Sequence, residues 1–273
     1  MARERRSLRD RIRRRRFSGF SGHQEQVVQD REEVGFPVDD DDDERALQLD
    51  VADLNRTIKL RPADAYSISS RGQLYLRTGR YDDALADLNR AIELDPSDAW
   101  AISARGETYG RMGSYDQAIA DLDRAVELAP TDPLVFSARG ETYRLMDHLD
   151  EALADLTRAI ELHPGYGWAI GARGEVYKEL GRYDDALADL NRAIELAPVD
   201  DWVISVRAET YRLMGRLDEA LADFDRAIEL DPTNAEAIGS RGQAYRRLGR
   251  EEEALTDLRR AIELDPGYRP SEG

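Results

Sequence analysis

Side chains able to do covalent or metal chemistry are scarce in this chain. Cysteine is absent, which removes disulfides, thiolate metal sites and a sulfur nucleophile. The histidines, His23, His148 and His163, lie far apart with no H-x-x-x-H spacing. Neither an imidazole metal site nor a catalytic triad is expected. The patterns G-x-x-x-x-G-K-[ST], G-x-S-x-G and H-E-x-x-H do not occur. Carboxylates are plentiful, 56 against 39 Lys and Arg. Many pair at helical spacing, but none has surroundings that would push two pKa values apart as acid–base catalysis requires. The expectation is no enzyme, no metal and no cofactor. The chemistry left to the chain is recognition, through tryptophans, tyrosines and charge.

What positions those side chains is a repeat. Pro62, Pro96, Pro130, Pro164, Pro198, Pro232 and Pro266 stand 34 residues apart, without insertion or deletion. Gly79–Leu94 and Gly181–Leu196 are the same string, GRYDDALADLNRAIEL. A strict period with copied blocks means duplication of one supersecondary unit. With position 1 set three residues after each Pro, position 34 is usually Asp (Asp64, Asp98, Asp132, Asp200) or Asn234. Such a residue caps a helix N-terminus by accepting from its orphan N–H groups. Position 15 is usually Gly (Gly79, Gly113, Gly181, Gly215, Gly249), suited to a left-handed C-terminal stop. An acid at position 18 opens a second helix, and the next Pro ends it. The Ala, Leu, Arg and Glu between are strong helix formers. Each unit therefore reads as two helices.

Position 8 is Gly or Ala, 11 is always Tyr, 20 and 27 are always Ala, and 24 is Leu or Phe224. On these residues the chain resembles the tetratricopeptide repeat family over 44–266. The resemblance implies an all-α, right-handed superhelical solenoid: a half repeat over 44–61, then six repeats over 62–265. Small residues at 8, 20 and 27 let helices approach closely, and the Tyr ring fills the gap between them. Two positions depart from the family. Position 7 is Arg in all six units (Arg71, Arg105, Arg139, Arg173, Arg207, Arg241), and position 23 is Asp in all six (Asp87, Asp121, Asp155, Asp189, Asp223, Asp257). Their joint occurrence suggests a bidentate Arg–Asp pair between helices. The alternative pairs each Asp with the Arg three residues on, as Asp87 with Arg90. Asp53 of the half repeat hints at pairing with Arg71 of the next unit.

The resemblance also implies a concave groove lined by the first helices, with positions 2, 5, 9 and 12 facing it. Position 2 supplies Tyr66, Trp100, Trp168 and Trp202, among Leu134 and Glu236. Position 5 is Ser or Gly throughout. Position 9 carries Glu107, Glu141, Glu175 and Glu209, between Gln73 and Gln243. Position 12 carries Arg144, Lys178, Arg212 and Arg246. Aromatics beside a line of carboxylates suit a protein or peptide partner with basic and apolar side chains. In the competing reading the tryptophans pack only between units and the Glu row is a solvated face.

The formal net charge is -17, but its sign is uneven. Residues 1–16 hold nine Arg against Glu4 and Asp10, a net of +7, so the remainder is -24. Nucleic-acid binding by the whole chain does not fit that balance. Residues 1–43 form a charged N-terminal arm that the repeat does not include and that is expected to be disordered. Its run Arg13–Arg16, with Phe17 and Phe20, offers an alternative function as a nucleic-acid or membrane adaptor working through residues 1–20. A further alternative comes from Phe20–Ser21–Gly22–His23, Pro37 and the acidic run Asp39–Asp43. These resemble the entry to the nucleotide-binding module of signal-transduction ATPases, which would make the chain a regulatory arm lacking that module. Ser21 and His23 depart from the usual Phe-Val-Gly-Arg. Thr256, Glu251 and Arg259 give the last unit a polar outer face, and residues 267–273 form a short tail. No apolar run approaches a membrane span and no secretory signal is visible. A cytoplasmic monomer acting as a scaffold or adaptor is expected.

Overall fold

The computed structural model describes residues 51–269, which fold into thirteen helices with no strand among them. The arm 1–43, with its Arg run, Phe20–His23 and Asp39–Asp43, lies outside the described residues, as do 44–50 and 270–273. The chain divides into two compact bodies at Met146–Asp147. The first holds α1 (51–60), α2 (Ala65–Arg77), α3 (Tyr81–Leu94), α4 (Ala99–Met112), α5 (Tyr115–Leu128) and α6 (Pro133–Leu145). The second holds α7 (Leu149–Leu162), α8 (Gly167–Glu179), α9 (Tyr183–Leu196), α10 (Asp201–Leu213), α11 (Leu217–Leu230), α12 (Ala235–Arg247) and α13 (Glu251–Leu264).

The stops and starts follow the repeat. Asp64, Asp98, Asp132, Asp200 and Asn234 each accept from a backbone N–H of the helix they open, a cap worth about 1 kcal/mol. The position 34 residue just before the fourth unit is Tyr166, and α8 starts without a side-chain cap. Gly113, at φ +79°, closes α4 in the left-handed region that costs an L side chain about 1–2 kcal/mol. Asp147 stands at the same repeat position and adopts φ +62°, the only such residue besides Gly among those described.

Within each body, consecutive helices pack antiparallel, and each first helix also touches the first helix of the next repeat. First helices thus form one layer and second helices the other, the all-α architecture of a helical-repeat solenoid. Close approach explains the small positions. A Cβ on Gly72 would stand 2.8 Å from Leu88 Cγ, and one on Gly106 2.8 Å from Leu122 Cγ. Ala84, Ala118, Ala186, Ala220 and Ala254 are fully buried. Where position 16 is Arg, the Tyr at position 11 has two guanidinium groups near its ring: Arg80 sits 4.1 Å from the Tyr75 ring centre and Arg71 sits 5.7 Å from it.

The Arg–Asp departure is resolved in favour of the pair between helices. In each repeat lying wholly inside one body, the position 7 guanidinium grips the position 23 carboxylate with two bonds. Arg71 Nε and Nη2 donate to Asp87 at 2.6 Å each, and Arg105 to Asp121 at 2.7 Å each. Arg173, Arg207 and Arg241 repeat the geometry with Asp189, Asp223 and Asp257. The remaining Nη1 donates to position 25 of the preceding repeat, as Arg105 to Asn89 at 2.8 Å and Arg139 to Asp123 at 2.8 Å. Arg71, Arg105, Arg173, Arg207 and Arg241 therefore each bind their own repeat together and tie it to the one before. These bonds hold the guanidinium pKa values above the usual range against the opposing effect of burial. Asp53 does not pair with Arg71, which is taken by Asp87 and Asn55; it meets Arg56 on its own helix at 3.5 Å. Arg90 is engaged elsewhere too, donating to the Pro62 carbonyl of the preceding turn.

Arg105→Ala is expected to lower unfolding free energy by about 3 kcal/mol, since the Asp121 carboxylate would stay largely buried without its partner. Denaturant melts test this, with Arg105→Lys intermediate because an ammonium cannot reproduce the two-pronged contact.

Candidate functional site

The predicted groove residues fall on the first-helix layer, in two sets, one per body. In the first body Tyr66 on α2 is 75% exposed, while Trp100 on α4 is half-buried. Behind them, Ser69 hydroxyl donates to the Tyr66 carbonyl at 3.1 Å. Glu107 and Glu141, on α4 and α6, are buried, and each is ion-paired on its own helix. Arg111 approaches Glu107 at 3.5 Å, and Arg144 grips Glu141 with two bonds of 2.9 Å. Burial pushes the Glu107 carboxyl up; the Arg111 charge opposes this and the neighbouring Glu141 charge adds to it.

In the second body Trp168 on α8 stacks on Trp202 of α10, with ring centres 6.4 Å apart. Tyr166 and His163 extend this line of rings at 6.0 Å steps. Trp202 is buried, and its ring lies 3.1 Å from where a Cβ on Gly171 would stand. The small residue at position 5 is therefore the seat for the aromatic of the next repeat. At the last repeat Tyr268 of the tail takes the equivalent place over Gly239 and accepts from Gln243 Nε2 at 3.0 Å. Glu175 meets Lys178 at 3.6 Å, and Glu209 holds Arg212 with bonds of 2.8 and 2.7 Å. Arg212 is only 2% exposed, and Arg246 is exposed.

The carboxylate row is thus compensated from within its own helices, at i+3 by position 12 or at i+4 by Arg111. Reading positions 9 and 12 as separate rows missed this, although their spacing alone places them side by side on a helix. Also missed was a recess between α8, α10 and α12, where Asp201, Asp231 and Glu236 join Glu175 and Glu209 beside Trp202. Asp201 and Asp231 sit at helix ends, away from the four groove positions. Among the described residues no His, Cys, Asp and Glu cluster has the arrangement of a metal site. None of the described helices is long and apolar enough to cross a membrane.

Glu107 should titrate above the ordinary glutamate range by carboxyl-detected NMR, and Arg111→Met should move it further up. Folded Glu107 holds its proton to higher pH than the unfolded chain does. Its contribution to stability is therefore greatest at low pH and falls as pH rises through that window.

Sequence models of the TPR repeat match residues 72–113 and 208–249, and tetratricopeptide repeat models match 101–132, 145–209 and 235–268. No curated protein matches the sequence. Among solved structures, the APC/C hetero-tetramer Cut9–Hcn1 superposes with a TM-score of 0.75 at 18% identity, over 82% of this chain and 44% of that one. The chain thus spans less than half the length of that relative. PilW, a type IV pilus biogenesis factor, gives a TM-score of 0.67 at 20% identity, over 76% and 96% of the two chains. TTC0263, a thermophilic TPR protein of Thermus thermophilus, gives 0.59 at 29% identity, over 66% and 98%. With the matched stretches running over most of the described repeats, the chain belongs to the tetratricopeptide repeat family.

Proposed function

We propose that this protein is a non-catalytic adaptor that holds a protein or peptide along the first-helix layer of its repeats. The tetratricopeptide array is a protein-interaction scaffold. The observation that carries the finer reading is the accessibility of the position 2 aromatics: Tyr66 is exposed, and Trp100 and Trp168 are half-buried. Aromatic side chains left partly uncovered on one layer offer large contact area at low entropic cost. Buried ion pairs beside them fix the helix faces without presenting a strong field of one sign. The ligand chemistry that fits is an extended or helical segment with apolar anchors, joined by a basic side chain where the second body is acidic.

Crosslinking capture with the full chain tests this against Trp100→Ala and Trp168→Ala. A partner that uses this layer should weaken about 30-fold for each anchor worth 2 kcal/mol, measured below the melting transition of each variant, with helix content unchanged there. A partner held equally by both variants and by wild type does not bind here.

A further inference from the structure

The outer face of α13 departs from the second helices before it. Positions 21 and 28 are buried in α9 (Leu187, Ile194) and in α11 (Leu221, Ile228). There the first helix of the next repeat lies against them; Ile228 shares an apolar cluster with Ala237 and Ile238 of α12. In α13 the same positions are Leu255, 45% exposed, and Ile262, 49% exposed. Seven residues apart, they form one apolar ridge along the helix.

The charges beside this ridge change as well. In earlier repeats position 25 accepts from the position 7 Arg of the repeat that follows: Thr157 from Arg173, Asn191 from Arg207 and Asp225 from Arg241. In α13 position 25 is Arg259, which repels a guanidinium where its counterparts accept one. A further repeat of the same pattern does not suit this face, whereas an apolar ridge carrying a carboxylate does. Position 17 is Tyr or Leu in the five units before and Glu251 here. Glu251 and Arg259 are both exposed, and among the described residues neither has an ion-pair partner. They stand four residues to either side of Leu255, about 6 Å along the axis in each direction, and share its face.

This pattern is complementary to itself. Two copies of α13 laid antiparallel about a two-fold axis at Leu255 bring the two Leu255 side chains together. Glu251 of each copy then faces Arg259 of the other, and each contact is made twice. Ile262 of each reaches the turn before the other's α13, where Leu248 is also exposed. A parallel arrangement would instead set Glu251 against Glu251 and Arg259 against Arg259.

We propose that the outer face of α13 is a homodimer interface, closed by Leu255 at the axis and by reciprocal Glu251–Arg259 pairs, in place of the monomer expected from the sequence. A few residues a side make a small interface, so the dimer is weak and forms with rising protein concentration. The contact leaves the position 2 aromatics of the first-helix layer uncovered. Dimer formation and partner binding on that layer therefore stand or fall separately.

Sedimentation equilibrium of the full chain over about 2–200 μM, the range in which a weak dimer assembles, tests this. Wild type should pass from monomer to dimer, and Leu255→Glu should stay monomeric. Arg259→Glu and Glu251→Arg should each weaken the dimer about tenfold or more, and the two reversals together should return it to within about threefold of wild type. Because the chain has no cysteine, Leu255→Cys should give a disulfide-linked dimer on mild oxidation, whereas Ala222→Cys, exposed on α11, should not. Circular dichroism checks that each variant folds, and the cysteine pair decides the matter if Leu255→Glu does not. A wild type that stays monomeric throughout overturns the proposal and leaves the face to a partner of another kind. A dimer that survives Leu255→Glu, or that the double reversal fails to restore, overturns it too.

Discussion

A guanidinium that leaves water must find acceptors for its N–H groups, and in this array that demand ties together three parts of the chain. The position 7 Arg spends two donors on the Asp of the second helix and a third on the preceding repeat. Losing the tie to the second helix would leave a largely buried charge without its partner. Helix spacing follows from the same arrangement. The carboxylate comes within reach because position 8 is Gly or Ala and position 24 of the facing helix presses against it, as Gly106 against Leu122. A larger residue at 8 would push the second helix away and stretch the pair. The polar and apolar constraints are thus one constraint, met by neighbouring residues.

This organisation recasts the acidity of the chain. Asp at position 23 is consumed by Arg, Asp at position 34 by helix amides, and Glu at position 9 by cations one turn further on. Most of the negative charge is structural and locally balanced, repeated with the unit. Acids from different elements, Asp201, Asp231 and Glu236, also converge on one recess in the second body.

Helix boundaries, caps and the small–large packing of each repeat were legible in the sequence because each is decided within one unit and printed six times. Repetition also revealed the Arg–Asp pair, since two unusual residue types recurred together. Repetition hides what differs between copies, however. The Asp53–Arg71 pairing could not be settled from one half repeat, because Asp53 has an equally near partner in Arg56 on its own helix. The compensation of Glu107 by Arg111, not by position 12, arises because Gly110 leaves no cation there. The acidic recess needs three helices to converge, and no single period contains it.

The aromatics at position 2 illustrate the same division between shared frame and individual use. A ring at this position can settle onto the small residue at position 5 of the preceding repeat, or it can stay available to a ligand. Trp202 settles onto Gly171 and is buried; Tyr66 lies near the start of the array and is 75% exposed. Tyr268 fills the same kind of seat: its ring lies over Gly239, and its hydroxyl accepts from Gln243. Burial of a ring contributes apolar area to the stack, whereas exposure forgoes that gain. Trp100 and Trp168, half-buried, stand between the two extremes. Stability thus draws these rings inward, and a partner that covers the exposed edges recovers the area the fold left uncovered. In the proposed function a partner would bind where this packing stops short of completion, at Tyr66, Trp100 and Trp168.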